Sequence, residues 1–213
     1  IILLLIIVQG IVGWYMVKSG LINNVTVSHY RLSLHLVIAF FIITIIFWLI
    51  LNIKDKKDKN FFTNKKNNYF FYSLFIIIFL QIIIGAFVSG LDAGNIYQTW
   101  PLMDLTYFPG DVRINSFLNF LDFNNHGLVQ FYHRNVGYFI VLYISLFGYV
   151  IIKNDLRKLY KAFYLVASFI ILQIGLGILT LISGLNIYLA SAHQICSLFL
   201  ILSVVNLYYK YIN

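Results

Sequence analysis

Three histidines, His35, His133 and His193, are the residues of this chain whose type and placement best suit chemistry. Each comes soon after the start of an apolar stretch long enough to cross a bilayer, where ionisable side chains are costly and usually functional. Neutral imidazoles bind metals, and two of them at one depth could serve as the axial ligands on either side of a porphyrin iron. The alternative is that each histidine only hydrogen-bonds to a neighbouring helix.

The elements that must position these histidines are six apolar segments, each close to the roughly 20 residues that span a hydrocarbon core. They lie near residues 1–17, 33–52, 70–89, 131–152, 162–182 and 191–210. Over 213 residues the chain is 61% hydrophobic and 10% charged, which excludes an ordinary soluble domain. We therefore predict an all-α fold, a polytopic membrane helical bundle that spans the lipid bilayer.

The charged loops predict the orientation of this bundle. Most of the net charge of +8 falls in two loops, which hold Lys54, Lys56, Lys57, Lys59, Lys65 and Lys66, and Lys153, Arg157, Lys158 and Lys161. The positive-inside rule places these loops on the inner side, so the charge is a topology signal and we predict no nucleic-acid partner. The second, fourth and sixth segments then enter from the outer side, and the three histidines share a depth about one turn below that surface.

A repeated pattern precedes each histidine-bearing segment. A glutamine (Gln9, Gln81 or Gln173) is followed by a glycine and then by Ser-Gly-Leu. Repeats of this kind build pseudosymmetric membrane bundles, in which glycines permit close helix packing. We predict that each Ser-Gly-Leu ends a helix. The glutamines either bridge helices or bind a ligand.

The segment 90–130 is far longer than ordinary connections, whose median is about 4–6 residues. We expect Tyr97, Trp100 and Tyr107 to form an interfacial cover over the outer end of the bundle, and a short surface helix over residues 119–125. His29 and His126 are expected to be solvated or interfacial.

Three motifs resemble the haem A synthase family in its mitochondrial and alphaproteobacterial form. They are Gly-Ala-Phe-Val-Ser-Gly-Leu-Asp-Ala-Gly from residue 85, Trp-Pro-Leu-Met from residue 100 and Val-Gln-Phe-Tyr-His-Arg from residue 129. The first hairpin, residues 9–35, also resembles its counterpart in that family. The family fold has eight helices in two similar four-helix halves, and the enzyme oxidises a ring methyl group of haem O to a formyl group, giving haem A for terminal oxidases.

The resemblance implies a role for each candidate residue. His133 and His193 correspond to the axial ligands of a haem b, and His35 to a ligand of the substrate, haem O. Arg134 and Arg31, beside the histidines, are either propionate contacts or interfacial anchors. Gln130, Gln194 and backbone carbonyls are candidates to accept a hydrogen bond from the second nitrogen of each imidazole.

The resemblance also divides the chain. Residues 1–53 correspond to two helices of the N-terminal half, 54–69 to an inner basic linker, and 70–213 to the complete C-terminal half that binds haem b. The family's catalytic glutamate and a further histidine belong to two helices with no counterpart here, and this chain contains no Glu. We therefore expect an N-terminally truncated chain that is catalytically incomplete.

The implied location is a bacterial inner membrane or the mitochondrial inner membrane, with the histidine-bearing helix ends on the outer side. Implied partners are haem O synthase and an electron donor, and a homo-oligomer is left open. The residues alone leave two other classes of function open. One is a diheme b-type cytochrome that relays electrons with quinone, and the other is a haem-free transporter or assembly scaffold.

Overall fold

The computed structural model describes residues 1–20, 27–62, 68–113 and 116–212. These residues form six α-helices and two short 3₁₀ helices, Ala93–Asn95 and Phe117–Leu121, and no strand occurs among them. The α-helices are α1 (Ile2–Gly20), α2 (His29–Asp55), α3 (Asn68–Gly90), α4 (His126–Lys153), α5 (Arg157–Ile182) and α6 (Ile187–Tyr211). The predicted all-α fold is confirmed. Lys65, Lys66 and Leu21, used in the loop and repeat predictions, lie outside the described residues.

Five helices, α2 to α6, are long and apolar enough to cross a membrane, whereas the apolar part of α1, Ile2–Lys18, is slightly shorter. The polytopic helical bundle predicted from the six apolar segments is therefore confirmed. The division of the chain at residues 54–69 stays a prediction.

The histidine-bearing helices begin earlier than their apolar segments do. Asn125 caps α4 by accepting a hydrogen bond from the Leu128 amide. Asn186 caps α6 in the same way, accepting from the amides of Tyr188 and Leu189. Because these polar caps move the helix starts outward, each histidine lies about two turns into its helix rather than one. The three histidines are the seventh or eighth residues of their helices, and their equal depth in a bilayer stays a prediction.

Consecutive helices pack side by side, and α6 packs back against α2. The α5–α6 pair has the most extensive contact. The main core lies between α2, α3, α4, α5 and α6, and includes the fully buried side chains Phe71, Leu74, Ile201, Val204 and Tyr208. Burial of this core fixes the positions of α4 and α6, which carry two of the three histidines.

The inner end of the bundle is closed by aromatic side chains that bond to the backbone. Trp48 Nε1 donates to the Lys59 carbonyl at 3.0 Å, and Tyr209 Oη donates to the Leu51 carbonyl at 3.0 Å. The Lys59 ammonium lies over the Tyr209 ring, 3.5 Å from its centroid. These contacts join α2, the chain that follows it and α6.

The outer loop lies against α4, as predicted for a cover. Tyr97 is buried there, whereas Trp100 and Tyr107 are about half exposed and bond to α4, at Tyr138 and Asn135 respectively. The predicted surface helix occurs at Phe117–Leu121 instead of 119–125. Ser116 and Asn119 form a capping box that starts the 3₁₀ helix early, and the Asp122 side chain accepts from the Asn124 amide and turns the chain away.

Candidate functional site

His133 on α4 and His193 on α6 bring their imidazole rings together in the half of the bundle that is nearer the segment 90–130. The ring centroids are 6.5 Å apart and the ring planes are inclined by 74°. The helix α4 packs mainly against α3 and α5, and α6 mainly against α5 and α2. Two imidazoles therefore approach each other from helices that are not principal packing neighbours, so a ligand between the helices could contact both rings.

The surroundings of His193 fix which of its nitrogens carries hydrogen. Its Nδ1 lies 3.0 Å from the backbone carbonyl oxygen of Gln173 on α5. Because a carbonyl oxygen only accepts hydrogen bonds, Nδ1 must be the donor. The Gln173 side-chain nitrogen lies 3.2 Å from Nε2, which in this tautomer accepts. Nε2 thus presents the lone pair that a metal would use.

His133 is held in a related way by α3. Gln81 Nε2 donates to the His133 carbonyl at 3.0 Å, which bridges α3 and α4. Among the described residues, neither Nδ1 of His133 nor Oε1 of Gln81 has a hydrogen-bond partner, although both atoms are buried. Unsatisfied buried polar atoms are costly, and a bound group is one explanation for them.

His35 repeats the arrangement on α1 and α2. Gln9 Nε2 lies 3.3 Å from Nε2 of His35 and donates to the His35 carbonyl at 3.0 Å. All three glutamines of the sequence repeat therefore reach the histidine-bearing helix that follows them. Of the two interpretations of the glutamines, the described contacts confirm helix bridging.

Three glycines, each four residues after one of these glutamines, lie directly against the imidazoles. A Cβ atom added to Gly13, Gly85 or Gly177 would lie 2.9, 3.0 or 3.1 Å from Cε1 of His35, His133 or His193. Four residues correspond to about one helical turn, so glutamine and glycine occupy the same helix face. The sequence repeat contained this spacing, but only the structure shows that both residues contact the histidine.

The acceptors proposed from sequence proximity are partly wrong. Gln130 Nε2 donates to the Tyr97 carbonyl at 2.9 Å, whereas its buried Oε1, the atom that would accept from an imidazole, has no partner among the described residues. Gln194 is exposed, because adjacent positions of a helix face different directions. The expected backbone carbonyl is correct for His193, where it belongs to Gln173 on the preceding helix.

The two arginines lie near the outer ends of the histidine-bearing helices. Arg134 donates to the carbonyls of Leu102 and Tyr97, both at 3.1 Å, and so fastens the outer loop to α4. Arg31 donates to the Tyr15 hydroxyl at 3.3 Å and lies over the same ring, 4.4 Å from its centroid. Contacts to propionates stay a prediction for both residues.

Tyr97 is the centre of the attachment between the outer loop and α4. Its hydroxyl donates to the Asp111 carboxylate, while its carbonyl accepts from Gln130 and Arg134. Burial, and then the hydrogen bond to Asp111, raises the pKa of the Tyr97 phenol above its usual 10.0. The phenol is therefore held in its neutral, hydrogen-bond-donating form at physiological pH.

His29 is buried, so of the two alternatives the solvated one is wrong, and an interfacial position stays a prediction. Its ring packs edge-on against Phe87, with centroids 5.2 Å apart. The close approach depends on Gly90, where an added Cβ would lie 2.8 Å from the His29 Cα. His126, the first residue of α4, is half-buried.

Comparison with known proteins identifies relatives over nearly the whole chain. The model of the COX15-CtaA family, described as cytochrome oxidase assembly protein, matches residues 1–205. The chain is 44% identical over 209 residues to a protein of Pelagibacter ubique named Heme A synthase, with 98% of this chain and 61% of that protein covered. It is 38% identical over 211 residues to a protein of the same name from Rickettsia felis, with 97% and 62% covered. No solved structure matches this chain. The chain spans about three fifths of the length of these curated relatives.

Proposed function

The chain belongs to the COX15-CtaA family of cytochrome oxidase assembly proteins, and we propose that the whole protein is a haem A synthase. In this proposal it oxidises the ring methyl group of haem O, through the alcohol, to the formyl group of haem A. The structural observation that carries the proposal is the facing pair His133 and His193. Such a pair could hold one ligand between its two imidazoles.

The dimensions of the pair fit a haem. Two imidazole nitrogens at about 2 Å from one metal ion place their ring centroids roughly 6 Å apart. The observed separation of 6.5 Å is close to that value. We infer that His133 and His193 would hold a haem b, which when bound would supply one-electron transfer.

We assign His35 to the substrate haem O. It lies at the matching position of α2, its Nε2 faces the Gln9 amide, and its ring lies against Gly13 in the same pose. Three like units in one chain favour related ligands. The chain's own residues orient the imidazoles and limit the access of water, while the porphyrin would supply the oxidative chemistry.

The outer loop supports this assignment because it is attached to α4 at residues next to His133 in the sequence. Arg134 holds the loop through two backbone carbonyls at 3.1 Å and lies next to His133 in the sequence. We propose that its guanidinium, and that of Arg31, also face the propionates at the outer surface. The histidine-bearing ends then lie toward the outer side of a bacterial or mitochondrial inner membrane, with haem O synthase and an electron donor as partners.

The activity is tested by producing the full-length protein in a bacterium that makes haem O but lacks its own haem A synthase. Haem is extracted from the cells and separated by chromatography. We expect haem A to appear with the wild-type protein and to disappear with a His35→Ala variant of equal abundance. A diheme cytochrome would give a b-type spectrum with haem O unchanged, and a haem-free transporter or scaffold would give neither signal; either result contradicts the proposal.

A further inference from the structure

Gly13, Gly85 and Gly177 occupy equivalent places against three imidazoles, and we propose that they are positioning residues that set the tautomer of each ring. Without a side chain, each glycine lets the ring lie against the helix backbone. At His193 the Nδ1–H reaches the carbonyl oxygen one turn earlier. The Nε2 of that ring keeps its lone pair, which accepts from the Gln173 amide in this structure and which a bound metal would take instead. The inference rests on the proposed function only where it takes Nε2 to be the nitrogen that binds haem iron.

At His193 the structure shows both the contact with the glycine and the hydrogen bond from Nδ1 to a carbonyl. A Cβ on Gly177 would lie 3.1 Å from Cε1, 3.4 Å from Nδ1 and 3.9 Å from Nε2, so Nδ1 is the nitrogen nearer the helix. Nδ1 is 3.0 Å from the Gln173 carbonyl. In an α-helix that carbonyl already accepts from the amide four residues later, here that of Gly177, but its second lone pair is free. A ring from another helix reaches this lone pair because residue 177 has no Cβ in the way.

The other two rings adopt the same pose. At Gly85 the corresponding distances to His133 are 3.0, 3.5 and 3.9 Å, and at Gly13 those to His35 are 2.9, 3.4 and 3.8 Å. In each case Cε1 is nearest, Nδ1 follows and Nε2 is farthest. The Nδ1 atoms of both histidines are buried and lack a partner among the described residues. We assign the carbonyls of Gln81 and Gln9, one turn before each glycine, as their acceptors.

Neighbouring glycines show that this contact is not a general property of small residues in these helices. Within the described chain, an added Cβ on Gly10 in α1 or on Gly175 in α5 meets no atom within 4 Å, the helix's own nearby backbone aside. Gly10 and Gly13 share one helix, and Gly175 and Gly177 share another. Each pair therefore provides one glycine that touches a ring and one that does not.

Alanine at position 177 should displace the ring of His193. The new Cβ would lie 3.1 Å from Cε1 of His193, a shorter distance than nine in ten Cβ contacts in proteins show. The ring must therefore move away from α5. Movement lengthens the bond from Nδ1 to the Gln173 carbonyl. Because hydrogen bonding at the second ring nitrogen raises the basicity of a metal-bound imidazole, its loss favours the reduced metal. The midpoint potential of a haem held by His193 should therefore rise.

The test compares full-length wild-type protein with the Gly177→Ala and Gly175→Ala variants. In haem-free protein, ¹⁵N resonances of the histidine ring report the tautomer, and His193 is assigned by the signal lost in a His193→Phe variant. We expect hydrogen on Nδ1 in the wild type and in Gly175→Ala, and a shifted or mixed tautomer in Gly177→Ala. In haem-loaded protein, redox titration should give a more positive midpoint potential for Gly177→Ala alone.

Identical resonances and potentials in the wild type and in Gly177→Ala would overturn the inference. If Gly177→Ala does not accumulate, Gly85→Ala provides the same test at His133, with the same expected direction. Absence of a b-type spectrum in the wild type would refute the proposed function, whereas the resonances of the haem-free protein would still decide the role of the glycines.

Discussion

Gln81 and His133 are joined across two helices by one hydrogen bond, from the side-chain amide of Gln81 to the backbone carbonyl of His133, at 3.0 Å. The bond fixes α4 against α3 at the level of the imidazole rather than at the helix ends. Equivalent bonds from Gln9 and contacts from Gln173 occur in the other two units. The position of each histidine is thus set by the helix that precedes it.

We predict that Gln81→Leu weakens the packing of α3 on α4. The variant removes a donor to a buried carbonyl while retaining a side chain of similar size, and should cost about 1 kcal/mol of stability. The measurement is thermal or denaturant unfolding of the purified protein in detergent. Gln194→Leu, which changes an exposed glutamine, is the matched control and should stay near the wild type. Equal losses in both variants would show that the Gln81 contact does not contribute.

We predict that Arg134→Ala releases the outer loop. The variant removes two hydrogen bonds from a charged donor to the carbonyls of Leu102 and Tyr97. Buried bonds of this kind contribute about 1.5–3 kcal/mol each to stability. The contribution here is smaller because both bonds are partly exposed. Limited proteolysis of the folded protein should cut the loop near residues 97–111 several times faster than in the wild type. Arg113→Ala, at an exposed position of the same loop, is the control. The prediction fails if the two variants are cut at the same rate.

We predict that Gly90→Ala separates the outer ends of α2 and α3. An added Cβ would lie 2.8 Å from the Cα of His29, and a backbone atom cannot move aside at little cost. Overpacking of this kind costs about 1–3 kcal/mol. Gly10→Ala, whose added Cβ meets nothing within 4 Å apart from its own helix, should be neutral or should stabilise its helix by up to about 1 kcal/mol. Equal free energies of unfolding for Gly90→Ala and Gly10→Ala would contradict this account.

The sequence was sufficient to predict the helices and the like positions of His35, His133 and His193 along them. Long apolar segments and charged loops are local features, so their positions can be read residue by residue. The distance of each histidine from the start of its helix was underestimated by about one turn, in α4 and α6 because Asn125 and Asn186 extend the helices into polar sequence.

The contacts around the histidines could not be predicted in the same way. Gln81, Gln173 and their glycines contact the histidines only through the packing angle of adjacent helices, which the sequence repeat does not specify. Arg134 was expected either to contact propionates or to anchor the helix at the interface. Its bonds to two backbone carbonyls of the loop could not be predicted, because every residue has a carbonyl and the sequence does not mark which one is used. The burial of His29 likewise depends on the missing side chain of Gly90 on another helix.

The central claim is that His133 and His193 together hold one low-spin haem b. It is tested most directly by reduced-minus-oxidised optical spectra of the full-length protein and of its His133→Ala and His193→Ala variants. The control is His126→Ala, which changes the first residue of α4. The account predicts that each of the first two variants loses the b-type spectrum, because removal of either imidazole leaves the 6.5 Å pair incomplete, and that His126→Ala retains it. An unchanged low-spin spectrum in both His133→Ala and His193→Ala would contradict it.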